Sequence, residues 1–111
     1  MSNWTHVAGI IRVNDMYCLS GGISPQNIIG NNIPYGSEGR LNVEIWENPD
    51  KSCVAAYTIS VFGDLRDHDS ADDIIDWFKG LCNKFISIRD AIIIARNEQN
   101  GKSVWVYEDD E

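Results

Sequence analysis

Cations are in short supply in this chain. Nine Lys and Arg stand against seventeen Asp and Glu, a formal net charge of −8 at pH 7 over 111 residues. Such a chain is repelled by phosphate backbones and anionic membrane surfaces. Direct nucleic-acid binding and membrane-surface binding are therefore not expected. No apolar run approaches the ~20 residues of a membrane span. The stretch from Met1 to His6 carries no basic region followed by an apolar one, so we expect no signal peptide and a cytosolic protein. Cysteine is scarce and its number odd. Cys18, Cys53 and Cys82 are too widely spaced for a disulfide framework or a Cys-x-x-Cys zinc pair. Cys53 and Cys82 read as small buried hydrophobes. No phosphate-binding glycine loop, dinucleotide fingerprint or nucleophile elbow is present. His6 and His68 are the only histidines, and His6 lies in an apolar stretch where a core histidine is expected rather than a base. An enzyme therefore ranks last among the function classes, and no cofactor is expected.

What is there suits a single α+β domain spanning 1–111. Apolar residues make up 43% and charged residues 23%, close to globular averages. Residues 4–13 are rich in Val, Ile and Trp and read as an interior strand, apolar on both faces. Residues 14–40 form a long, irregular, glycine-rich connection. Ser24-Pro25 within it starts a short helix over about 25–30 that Gly30 stops. Leu41, Val43 and Ile45 alternate with polar partners, the period of a half-buried strand. A turn at Asn48–Ser52 leads into a strand over 53–62, making a hairpin. Tyr57, Ile59 and Val61 share one face of it, with Thr58 and Ser60 on the other. A loop over 63–69 then reaches Ser70, which caps a helix with Asp73 three residues on. Ile74, Phe78, Leu81 and Phe85, widened by Trp77 and Cys82, form its apolar stripe. Ile88, Ile92 and Ile94 fall on one face of the next strand, and Arg89, Ala91, Ile93 and Ala95 on the other. Asn100-Gly101 is a strong hairpin signal and Val104–Tyr107 returns as the last strand. Residues 108–111 are an acidic tail. The expected architecture is a mainly antiparallel five-stranded sheet with one main helix on one face. Its topology is either ferredoxin-like, with a split β-α-β unit, or a meander.

Two segments could carry function. The first is the loop and helix start from Asp64 to Asp76. It holds Asp64, Arg66, Asp67, His68, Asp69, Asp72, Asp73 and Asp76. These are either ordinary loop and cap residues, a contact patch for a basic partner protein, or a divalent-metal site on Asp64, Asp67, His68 and Asp69. The spacing lacks the alternation and glycine of a calcium loop, so no metal is assigned. Arg66 is expected to organise the loop by pairing Asp64 or Asp67. The second segment is Tyr35–Arg40, where Gly36 and Gly39 flank Ser37-Glu38. It is either a plain turn or a weak ligand-binding loop using Tyr35, Ser37 and Glu38. Four tryptophans, Trp4, Trp46, Trp77 and Trp105, add aromatic surface. Of these, Trp46 or Trp105 is expected to face outward or cover an edge.

Trp4–Val13, Val61–Asp67 and Gly36–Gly39 resemble segments of small uncharacterised proteins encoded by bacteriophages and prophages. That resemblance implies a bacterial cytosolic setting and an accessory role, and carries over no functional residue. The expected function is non-enzymatic. An acidic, aromatic-flanked surface would bind a basic host or phage protein, with inhibition of a defence or nucleic-acid-processing system among the outcomes. The alternative is a small-ligand or divalent-metal-binding domain using the 14–40 and 63–70 loops. An exposed last strand over 103–108 also leaves a homodimer through that edge open.

Overall fold

The computed structural model describes residues 3–13, 29–30, 32–47, 57–67, 70–85 and 88–108. Its elements run β1 (Trp4–Val13), β2 (Tyr35–Gly36), β3 (Gly39–Arg40), β4 (Asn42–Glu47), β5 (Tyr57–Arg66), α1 (Ala71–Cys82), β6 (Ile88–Asn97) and β7 (Gly101–Val106). Five strands form one sheet in the order β4-β5-β1-β6-β7, while β2 and β3 form a separate small hairpin. Every pairing is antiparallel. The fold is α+β, with one helix packed on the sheet. β5 and β6 both run antiparallel to β1, which lies between them, so they are parallel to each other across it. The connection from β5 through α1 to β6 thus passes over β1, one split β-α-β unit. The β4–β5 and β6–β7 neighbours are consecutive antiparallel strands. The turn expected at 48–52, most of the short helix at 25–30, and Cys18 and Cys53 lie outside the described residues. Ile29 is helical and buried there, and Gly30 follows with φ of 67°, a conformation glycine adopts freely.

β1 is central, as its composition suggests, but only one of its faces is buried. Thr5, Val7, Gly9, Ile11 and Val13 point to the core, and Ala8, Ile10 and Arg12 point away from it. The core continues through Ile59, Val61 and Leu65 of β5, and Ala91, Ile93 and Ala95 of β6. α1 covers the β6–β7 side with Ile74, Ile75, Phe78, Leu81 and Cys82. Phe78 is fully buried and meets Trp105 edge-on, with ring centroids 5.9 Å apart. Burial of each such side chain contributes about 1.5–3 kcal/mol. Ser70 Oγ accepts the Asp73 amide at 3.2 Å, and Asp72 and Asp73 sit in the first turn where the helix dipole favours anions. Burial pushes the Cys82 thiol up to about 12, the behaviour of an inert packing residue.

Three expectations are corrected. β5 runs on through Arg66, so Gly63–Arg66 is strand rather than loop; the chain leaves the sheet at Asp67, with φ of 62°. Ile88 does not share a face with Ile92 and Ile94. A register shift opposite Arg12 and Val13 turns Ile88 into the core while Ile92 and Ile94 face outward. His6 is not a core residue; it stands on the uncovered face with 38% of its side chain exposed.

Asn97 holds the β6–β7 turn. It is 1% exposed, and its Nδ2 donates to Thr5 Oγ1 on β1 at 2.9 Å. Its Oδ1 accepts the amides of Gln99 and Asn100 at 3.0 and 2.9 Å. Asn97 pairs with Gly101, so the loop has three residues and ends on Gly101 at φ of 89°. This is the three-residue hairpin pattern rather than a two-residue one. Asn97→Ala removes three side-chain hydrogen bonds, to two amides and one hydroxyl. We expect a loss of about 2–3 kcal/mol in urea unfolding, against under ~0.5 kcal/mol for the exposed Gln99→Ala.

Candidate functional site

The pairing register of β1 makes the face turned away from α1, which no described element covers, a small grid. From β4 to β7, one row reads Glu44, Ser60, Ile10, Ile92 and Val106, and the next reads Asn42, Phe62, Ala8, Ile94 and Val104. Ile10, Phe62, Ile92, Ile94, Val104 and Val106 are each between 39% and 51% exposed. Scattered apolar residues on a surface mean little, but here they form one contiguous band, which sets this face apart from the rest of the described surface. Trp46, 55% exposed, extends the apolar surface along the β4 edge next to Thr58.

Charged rows close the band at both ends. At one end Arg12 holds Asp90 bidentately, Nε to Oδ1 at 2.8 Å and Nη2 to Oδ2 at 2.5 Å. The Arg12 guanidinium keeps the Asp90 carboxyl below its usual range. A shallow groove lies between this pair and the band, lined by Ile10, Arg12, Thr58, Asp90, Ala91, Ile92 and Val106. At the other end His6 bridges two carboxylates, Nδ1 to Asp64 Oδ1 at 2.6 Å and Nε2 to Glu98 Oε2 at 3.3 Å. Arg96 and Lys102 complete that row. Charges of both signs lie on the face, Arg12, Arg96, Lys102 and His6 beside Glu44, Asp64, Asp90 and Glu98. The acidic excess of the chain lies elsewhere.

The structure disperses the acidic segment. Asp64 projects from β5 onto the uncovered face toward His6. Asp67 accepts from Ser37 Oγ at 2.8 Å. Arg66 lies 3.5 Å from Glu38 and 4.0 Å from Asp67. Asp72, Asp73 and Asp76 are exposed on α1, across the sheet from Asp64, and Asp72 accepts from Ser103 Oγ at 2.7 Å. His68 and Asp69 lie outside the described residues. No group of three or more His, Cys, Asp or Glu side chains able to hold a metal ion occurs among the described residues.

The Tyr35–Arg40 segment is a hairpin strapped to the end of β5. Its Ser37 amide donates to the Arg66 carbonyl at 2.9 Å. Ser37 and Glu38 thus serve internal contacts, and Tyr35 is 74% exposed at the rim. Gly36 is required by close approach: a Cβ there would stand 2.3 Å from the Arg66 carbonyl oxygen. Sequence reading named the acids but missed the band. Its signal was available in Ala8 and Ile10 alternating with core residues on a strand paired on both sides. Compared with protein-family models, curated proteins and solved structures, the chain matches none.

Two outcomes follow from this geometry. The His6 pKa is raised above 6.5, first by the hydrogen bond to Asp64 and then by that to Glu98. A histidine raised on folding stabilises fully below its unfolded pKa, and that contribution is lost as pH climbs through the folded value. Thermal unfolding of the native chain should therefore show a small loss from pH 6 to pH 9 that His6→Gln lacks. The difference should be under about 1 kcal/mol for so exposed a group. Gly36→Ala should lift the hairpin from β5 and cost about 1–3 kcal/mol in denaturant unfolding, whereas Gly80→Ala, helical and with nothing near its Cβ position, should not destabilise.

Proposed function

We propose that this chain is a non-enzymatic binding protein whose main contact surface is the uncovered face of its sheet. The observation that carries this reading is the two-row apolar band bounded by charges already paired within the chain. Aromatic and aliphatic anchors supply the energy of a protein contact, and paired rim charges set its orientation. Because Arg12 and Asp90, and His6 with Asp64 and Glu98, are matched within the chain, covering these groups strands no lone ion. The resemblance to small phage-encoded proteins supports an accessory role in a bacterial cell, including restraint of a host system.

A second reading keeps the helix side as a contact for a basic host or phage protein. It rests on Asp72, Asp73 and Asp76, exposed together on α1 and away from the band. Salt separates the two, since charge-steered binding weakens with ionic strength and apolar contact does not.

Capture from bacterial lysate by the tagged chain, at low and high salt, tests both. We expect Ile94→Lys to lose the captured proteins at either salt while Asp73→Lys with Asp76→Lys retains them. Loss confined to the Asp variants, and in the native chain to high salt, would instead establish the helix side. An unchanged set of proteins in all variants would contradict both.

A further inference from the structure

We propose that the uncovered sheet face is covered by a second copy of this chain, in a two-fold, face-to-face dimer. This deepens the preceding reading and rests on it: it names the occupant of the same face. Three observations select a copy over another partner.

The first is charge. The chain carries −8 overall, yet on this face cations and anions are interleaved, with Arg12 paired to Asp90 and His6 to Asp64 and Glu98. This is the side through which two such acidic molecules approach with least repulsion. The second is pattern. An isologous contact needs a self-complementary patch. An apolar band two rows deep between two charged rows meets that need, because Ile10, Ile92 and Ile94 of one copy lie against the same band of the other. The third is size. Five strands at about 4.8 Å and four same-face rows at about 6.8 Å give a footprint of roughly 24 by 27 Å. That is the scale of the ~800 Å² per partner that a stable interface buries.

The resulting assembly has four layers, helix, sheet, sheet, helix, with the two sheets about 10 Å apart. It places Asp72, Asp73 and Asp76 of the two copies on opposite outer surfaces. The two clusters are then separated by more than the ~8 Å over which charge acts at physiological salt.

Sedimentation velocity of the full chain from about 1 to about 200 µM tests the proposal. We expect a species of twice 12.5 kDa to dominate as concentration rises. The double variant Ile92→Lys with Ile94→Lys should stay monomeric with an unchanged circular dichroism spectrum, since both positions are more than two-fifths exposed. A monomeric native chain across the range overturns the proposal. So does a dimer that persists in the double variant, which would assign association to the β7 edge. Should the double variant fail to fold, Val104→Lys, on the same band, replaces it under the same criteria. Fluorescence of Nile red, a neutral apolar dye, separates this failure from that of the preceding reading. A monomeric native chain that brightens the dye, with the signal lost in the variant, keeps the face as a contact site for another protein. A monomeric chain that binds dye no better than the variant removes both.

Discussion

The alternation along β1 is the constraint on which the rest depends. This strand pairs with β5 and β6, so its parity is imposed on both neighbours and through them on β4 and β7. One set of positions, from Thr5 to Val13, must be buried, and the helix covers part of that side. The other set is then committed to the opposite side. Among the described residues one long helix packs against five strands, and apolar residues stand on the face that α1 does not cover. A one-residue slip would exchange the two faces entirely. Asn97 resists such a slip by tying β1 to the β6–β7 turn through Thr5.

The same alternation sorts the charges. Acids close in sequence end on opposite sides: Asp64 joins His6 on the uncovered face, and Asp72, Asp73 and Asp76 join the helix. A patch drawn along the chain is thus divided in space. The net charge describes the helix side and loops better than it describes the sheet face, where opposite charges are matched locally. The Arg12–Asp90 pair and the His6–Asp64–Glu98 set can be covered without stranding an ion, which is what distinguishes them from an acidic surface that steers partners.

Much of the architecture was legible in the sequence. Ser70 with Asp73, and the stripe from Ile74 to Phe85, mark α1 by local chemistry alone. Asn100-Gly101 marks the last hairpin, although the loop is set by Asn97 three residues earlier. What was not legible depends on contacts distant in sequence. Whether β1 is covered on one face or two is decided by which elements pack on it, and its composition alone suggested two. The continuation of β5 through Asp64 and Arg66 needs β1 beside it, since Asp-rich segments otherwise read as loop. Likewise the Arg66–Glu38 contact joins two segments that each read as a separate candidate site. The burial of Ile88 on the face opposite to Ile92 and Ile94 follows from a register shift that no periodicity displays.

The central claim is that the uncovered face is a contact surface, open in the single chain and covered on association. Relaxation of isoleucine methyl signals by a soluble gadolinium chelate measures this directly, residue by residue. At low protein concentration the methyls of Ile10, Ile92 and Ile94 should be relaxed strongly while those of Ile59 and Ile93 are not. At high concentration the first three should become protected and the other two remain so. Protection of Ile10, Ile92 and Ile94 at every concentration in a monomeric chain, or equal relaxation at every concentration, would contradict the account.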